Sequence, residues 1–366
     1  MAAQTPKRMK AIQLVEFDSP YEVREVDIPT NLDPSDLLIK VAAASYCHSD
    51  AMVQSGMFSA PLPLTAGHEG SGTVVAVGAK AAKKFQIGDR VMCGLPQHPC
   101  DNCDECSGPE SQQQYCTNLE YGFLGLNTNG CFAEFVKCDS RFTAKLPDKV
   151  SLLSAAPLAC AGRTAWRAVL KTQLKPGEWV CFIGSGGGLG HLGVQFAKAL
   201  GLRVIGVDAT DKGLEVSRKH GADPVVDIRG GNIDVVRKVQ TATGGKGAHA
   251  TICLSDHKDA SAIACALTRM HGTMIQIALT EIVAIPMKEL IFRDIRVIGS
   301  NASGVKETEA MLATVATHGV AVTTVPFEGL HEIGQLCELF HSGSLGGRAL
   351  IVIDQEQIDL QEKNLE

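Results

Sequence analysis

The chain has 366 residues, 45% hydrophobic and 20% charged, with a formal net charge of −6. Those values suit a folded two-domain protein and exclude a disordered one. There is no long basic run or aromatic-basic interleaving, which argues against a nucleic-acid partner, and no apolar run long enough to span a membrane.

The thirteen cysteines are an odd number in a chain long enough to need no disulfide staples. Met1–Lys10 is polar, without the apolar core of a signal peptide. The cysteines therefore read as thiols or metal ligands in a reducing compartment, and a cytoplasmic address is expected.

From Met9 to about Ala44, short runs alternate apolar and polar residues, as in Lys10–Val15 and Leu37–Val41. Ser19-Pro20 and Asp33-Pro34 punctuate them. Further strands are expected at Gly72–Gly78, after Gly88-Asp89, and at Phe132–Val136, so this half reads as a β-rich domain.

Within it, Tyr46-Cys47-His48-Ser49-Asp50 places a thiol, an imidazole, a hydroxyl and a carboxylate in consecutive positions. Twenty-one residues beyond Cys47 lies Gly67-His68-Glu69-Gly70, whose glycines let the backbone turn closely around the imidazole. Cys160 follows in Pro157–Gly162, a small-residue segment opening a helical run. Two cysteines and one histidine leave a fourth position on Zn²⁺ open for water or substrate.

Between these residues, Cys100, Cys103 and Cys106 recur at a spacing of three, and Cys116 lies ten residues on. Four thiolates and no water make a closed, structural zinc site. Cys116 is the preferred fourth ligand, with His98 and Asp101 as alternatives.

The second half opens with a buried-strand run, Glu178–Ile183, that enters Gly184-Ser185-Gly186-Gly187-Gly188-Leu189-Gly190. A helical pattern from His191 to Leu200 and a second strand, Leu202–Asp208, complete a β-α-β unit. Glycines let the backbone approach a pyrophosphate, and the helix N-terminus supplies amide donors. The literal G-x-G-x-x-G falls on Gly188, Gly190 and Gly193, but the earlier glycines abut the strand and are preferred. Asp208 is placed to accept from a ribose diol and would repel a 2′-phosphate, which favours NAD. Lys212, opening the next helix, is grouped with the cofactor residues.

Helices and strands then alternate. Helices are expected at Lys212–His220, Asn232–Thr241 and His257–Arg269, with strands at Pro224–Asp227, Ala250–Cys253, Thr273–Ile277 and Ile295–Ile298. This is the pattern of a doubly wound parallel sheet, so the fold class is α/β. Gly347–Ile353 reads as a last strand, with Arg348 either a solvated edge residue or a phosphate contact. The charged tail from Asp354 is expected to be mobile.

Taken together, Cys47–Asp50, Gly67–Gly70, the cysteine lobe, Cys160–Gly162, Gly184–Gly190 and Gly347-Arg348 resemble the zinc-dependent alcohol dehydrogenases of the medium-chain dehydrogenase/reductase superfamily. The likeness is greatest to the microbial and fungal branch and covers essentially the whole chain. It implies a GroES-like catalytic domain over 1–160 and 306–366 and a Rossmann NAD-binding domain over 161–305. It also implies two Zn²⁺ per subunit, a catalytic one on Cys47, His68 and Cys160 and a structural one on Cys100, Cys103, Cys106 and Cys116. By the same resemblance Ser49 hydrogen-bonds the reacting alcohol, Asp50 orients His68, Glu69 lies behind the metal, and His48 and Arg348 contact the cofactor pyrophosphate.

The implied reaction interconverts a small-molecule alcohol and its aldehyde or ketone with NAD(H), in a homodimer or homotetramer. The alternative is a reductase of a larger carbonyl or iminium compound in a specialised pathway. The altered pocket and the missing proton-relay histidine, among the departures from the family pattern, motivate that alternative. Gln114 occupies the usual fourth-cysteine position of the lobe, and Met52 replaces the proton-relay histidine, leaving bulk water or His48 to take the proton beyond Ser49. Phe58 and Leu95 stand where ethanol-active members carry tryptophans, and Ile277-Ala278-Leu279-Thr280 lacks a glycine often found near the nicotinamide.

Overall fold

The structure is a computed structural model that describes residues 7–343 and 345–365. Two compact units emerge. The first runs to Cys160 and resumes at Gly304–Ala316 and from Val322; the second comprises Ala161–Ser303 and Thr317–Ala321. The short piece is tied to the second unit by the Gln195 side chain, which binds both backbone groups of one residue, donating to Ala321 O at 2.9 Å and accepting from Ala321 N at 2.8 Å.

In chain order the strands are β1 (Arg8–Leu14), β2 (Glu22–Asp27), β3 (Asp36–Ser45), β4 (Leu64–Thr65), β5 (Glu69–Val77), β6 (Arg90–Met92), β7 (Phe135–Asp139) and β8 (Ala144–Lys145). The second unit contributes β9 (Trp179–Ile183), β10 (Arg203–Asp208), β11 (Val225–Asp227), β12 (Ala248–Cys253), β13 (Thr268–Gln276) and β14 (Arg296–Gly299). The first unit then adds β15 (Thr324–Glu328) and β16 (Arg348–Val352).

In the first unit β3 is the spine, pairing antiparallel with β5, β7 and β16. The sequence alternation suggested a half-exposed strand, yet nearly all of β3 is buried, because both of its faces are covered. The strand expected at Phe132–Val136 lies instead at Phe135–Asp139, where β7 pairs with β3, while Ala133 makes only an isolated bridge to Ala11. The C-terminal tail is not mobile where described. Gln355–Leu365 is a helix docked by polar anchors: Gln357 Nε2 donates to Lys40 O at 3.2 Å, and Gln361 bridges Val150 O and Leu152 N at 3.0 and 2.8 Å.

The second unit is a six-stranded sheet in the order β11-β10-β9-β12-β13-β14, with every neighbouring pair parallel. All five residues of β9 are buried, as a central strand covered by helices on both faces requires. Val180 and Phe182 are fully buried, each worth about 1.5–3 kcal/mol of transfer free energy. The order reverses between β9 and β12, and ligands of such sheets bind beyond the strand C-termini at that switch point. The glycine turn follows β9 there. Among the described residues no helix is long and apolar enough to cross a membrane.

Candidate active site

The end of β3 delivers Cys47 in an extended conformation as the N-cap of a short helix, His48–Gln54. Asp50, in the first turn, folds back so that its Oδ2 accepts from Cys47 N at 2.8 Å, one half of a capping box. Its other oxygen, Oδ1, lies 3.1 Å from His68 Nδ1. A carboxylate can only accept, so Nδ1 carries a proton, and Nε2 is the nitrogen left to ligate a metal once its own proton is gone. That Nε2 is buried and has no hydrogen-bond partner.

His68 reaches this position from a sharp turn. Gly67 has φ +89°, and a Cβ there would stand 2.8 Å from the Phe132 ring, so only glycine fits. Cys160 arrives from a π-helical turn, Leu158–Gly162, following the helix Leu152–Pro157. The segment therefore interrupts a helical run rather than opening one, and single π turns of this kind recur at functional sites.

Ligand atoms of Cys47, His68, Glu69 and Cys160 all lie within 4.8 Å of one another. Two thiols, an imidazole with an available Nε2 and water-excluding walls fit a zinc ion. The Cys160 thiol, hydrogen-bonded to Cys47, holds Cys47 well below its ordinary range against the opposing effect of burial, and Arg348 assists. Burial alone would depress His68, but Asp50 and Cys160 hold its imidazole well above the usual value. A metal ion must displace these shared protons to bind.

Behind the cluster, Glu69 is fully buried and ion-paired with Arg348 NH2, while its Oε1 has no hydrogen-bond partner. Burial raises the Glu69 carboxyl, and the Arg348 guanidinium pulls it back towards the ionised form. Arg348 is 5% exposed, so the solvated-edge reading of this residue is wrong: β16 carries it into the interior beside β3. Of the remaining first-stretch residues, Ser49 is partly exposed and His48 exposed, both on the same short helix. Met52 is buried on that helix, and Phe58 packs against the core of the first unit.

The cysteine lobe brings four sulfurs together. Those of Cys100, Cys103, Cys106 and Cys116 lie within 4.8 Å of one another, with Cys116 3.7 Å from Cys100 and 3.9 Å from Cys103. Amide hydrogen bonds from Cys106 and Thr117 hold the Cys103 thiol below its ordinary range, while burial and the neighbouring thiols raise Cys106, so the four sulfurs share protons that a metal would displace. Gln114 turns away, donating from Nε2 to Ser111 O at 2.9 Å. His98 and Asp101 lie outside the cluster: His98 Nε2 sits 2.7 Å from Asp36, and Asp101 pairs with Arg141 at 2.8 Å. Arg141 was not foreseen as part of the lobe. It fastens the lobe's first turn, donating to Pro99 O and Asp101 while chelating buried Asp139 on β7.

In the second unit the turn Gly184–Leu189 leads from β9 into the helix Gly190–Ala199. The earlier glycines do form the turn. A Cβ on Gly186 would stand 2.0 Å from Gly213 O, so this close approach requires glycine. Gly193, part of the literal motif, instead packs on the Phe182 ring inside the helix. Asp208 ends β10 as expected, but its carboxylate is also a brace. It accepts from the amides of Gly186, Ala209 and Thr210 at 2.9, 2.8 and 3.1 Å and from Thr210 Oγ1 at 3.2 Å. Lys212 is exposed in the first turn of the following helix, Asp211–Lys219. A glycine turn at the sheet's switch point, with a carboxylate closing the neighbouring strand, fits a dinucleotide with a free ribose diol.

Residues 33–148 match the alcohol dehydrogenase GroES-like domain, and residues 188–317 match the zinc-binding dehydrogenase domain. An alcohol dehydrogenase of Geobacillus stearothermophilus is 33% identical over 350 residues, spanning 94% of this chain and 100% of the relative. The crystal structure of the alcohol dehydrogenase from the hyperthermophilic archaeon Aeropyrum pernix aligns with a TM-score of 0.83 at 32% identity, over 94% of this chain and 99% of that one. An NAD-dependent alcohol dehydrogenase structure aligns with a TM-score of 0.85 at 25% identity, over 94% and 100%.

Proposed function

This chain belongs to the zinc-dependent alcohol dehydrogenases of the medium-chain dehydrogenase/reductase superfamily, alcohol/carbonyl oxidoreductases that use zinc and NAD, and on that premise we propose which of its residues do the work. Cys47, His68 and Cys160 hold the catalytic zinc, and Cys100, Cys103, Cys106 and Cys116 hold a structural one. The observation that best supports the first assignment is the convergence of two thiols on a buried, unpartnered His68 Nε2. When bound, zinc supplies Lewis acidity toward an alcohol or carbonyl oxygen, and the nicotinamide takes or gives hydride.

The chain's own groups position and neutralise. Asp50 fixes the His68 tautomer and the Cys47 backbone together. Glu69 and Arg348 place a compensated charge pair behind the ligands. Ser49 relays the alcohol proton, its Oγ accepting it while the serine's own hydroxyl proton passes on towards the cofactor ribose. Met52 has no proton to carry, so beyond Ser49 the proton leaves to bulk water or to exposed His48. The glycine turn Gly184–Gly190 cradles the pyrophosphate, with His48, Lys212 and Arg348 as further cofactor contacts, and Asp208 accepts from the ribose.

Asp208→Gly tests the cofactor assignment. Losing charged-acceptor bonds worth about 1.5–3 kcal/mol should weaken NADH binding roughly ten- to hundredfold while relaxing discrimination against NADPH. Fluorescence titration with both cofactors measures it, and an unchanged preference would remove Asp208 from this role. A panel of short, branched and aromatic alcohols, assayed with NAD⁺, ranks small-alcohol oxidation against the larger-carbonyl reading.

For assembly we propose a homodimer, or a homotetramer built from it. β14 is the open edge of its sheet, and Met287, Leu290, Ile291, Phe292 and Ile298 are exposed in and before it. Such an edge invites pairing with a second copy. Sedimentation of the wild type and Phe292→Asp should give a dimer or larger and a monomer respectively; a monomeric wild type at micromolar concentration rejects the idea.

A further inference from the structure

The short helix that carries Cys47 at its N-cap, with Ser49 and Asp50 in its first turn, has seven residues, too few to be stable alone. It is held from one side by the segment joining β1 to β2. Asp18 N donates to Gln54 O at 2.8 Å, Gln54 Nε2 donates to Ser19 O at 2.8 Å, and the Phe17 ring closes over Gly56. A further contact comes from Tyr21, whose phenol donates to the Asp50 carbonyl at 2.9 Å. Tyr21 is 9% exposed and stands edge-on to the fully buried Tyr46, with ring centroids 6.5 Å apart, so its hydroxyl has little freedom to leave.

Asp50 is the residue through which such a contact is transmitted. Its backbone takes the Tyr21 hydroxyl, while its carboxylate spans Cys47 N and His68 Nδ1. Fixing the carbonyl fixes the Cα, and the direction of His68 Nε2 follows from the Cα through the carboxylate. We propose that Tyr21 is a positioning residue for the catalytic metal: from the β1–β2 connection it locks Asp50, and so sets the aim of His68 and the Cys47 turn. It touches neither substrate nor cofactor. The inference rests on the assignment of Cys47, His68 and Cys160 as the zinc ligands.

Tyr21→Phe removes only the hydroxyl and keeps the ring against Tyr46. Removing a hydrogen-bond partner of a metal-bound histidine costs about 10–100-fold in metal affinity, and a contact one residue further out should cost roughly 5–10-fold. In the full-length zinc-loaded protein, release to a chromophoric chelator should accelerate by that factor in the phase that Cys160→Ser lacks. The other release phase should not change, and the thiolate-to-cobalt absorption of the Co²⁺-substituted protein should shift. The effect must vanish in an Asp50→Asn background, where the link to His68 is already weakened although the carbonyl remains. If Asp50→Asn accelerates release and Tyr21→Phe does not, or if Tyr21→Phe is equally effective without the Asp50 carboxylate, the proposal is overturned. If Asp50→Asn itself leaves metal release and the cobalt spectrum unchanged, the ligand assignment falls, and this inference with it.

Discussion

Replacing Cys160 by serine is expected to leave the chain folded, to lower its zinc content by one ion, and to depress alcohol oxidation by about a thousandfold. The magnitude follows from the chemistry: Lewis-acid stabilisation by a metal is worth several kcal/mol, and ~4 kcal/mol corresponds to roughly a thousandfold in rate. A serine hydroxyl is a far poorer zinc ligand than a thiolate, and Cys47 with His68 alone would leave the ion half-coordinated. The fold should survive because Cys160 belongs to none of the apolar core clusters of the described residues. Metal analysis by mass spectrometry, circular dichroism and steady-state rates together check it. Full activity at one zinc per chain would sink the assignment of this site.

Cys116→Ser should produce the complementary result. Structural zinc contributes apparent binding free energies of about 10 kcal/mol or more in small zinc-dependent folds. The lobe has little else to hold it: within residues 100–116 only Gln114 and Cys116 are buried. Loss of this ion is therefore expected to unfold the lobe locally, exposing it to limited proteolysis between Cys100 and Cys116 and lowering the thermal midpoint. Activity at low temperature should persist, since no residue of the Cys47–His68–Cys160 cluster is altered. Gln114→Ala should keep both ions. If Gln114→Ala strips zinc and Cys116→Ser does not, the fourth ligand has been misassigned.

The metal clusters were readable in the sequence because soft ligands are scarce and their spacing is constrained. Cys100, Cys103 and Cys106 announce a loop folded around an ion, and Cys47, His68 and Cys160 each sit beside a turn or a run of small residues. The parallel sheet was readable from apolar runs alternating with helical periodicity, ending in a glycine turn. What stayed hidden depends on contacts between distant polar groups, which leave no periodic trace. Tyr21 lies 29 residues before Asp50 and looks like an ordinary strand-edge aromatic. Arg141 fastens the cysteine lobe from 40 residues away through Asp101. The C-terminal helix is anchored by Gln357 and Gln361 as well as by buried Ile358, so it resembles a solvated tail.

Asp208 shows the same limit from the other side. Its position at the end of the second strand of the unit was evident, but not that four donors of the adjoining turns occupy the carboxylate. The carboxylate is therefore preorganised, oriented before any ribose arrives. Arg348 is drawn inward rather than left at a solvated edge, because a buried Glu69 needs a cation.

The ligand sets can be tested together by diffraction from crystals of the purified protein at the zinc absorption edge. Two anomalous peaks per chain are expected, one bounded by Cys47, His68 and Cys160 and one by Cys100, Cys103, Cys106 and Cys116. A peak at the remaining acid–histidine cluster, Asp33, Asp36 and His98, with none at Cys160, would contradict the catalytic assignment outright.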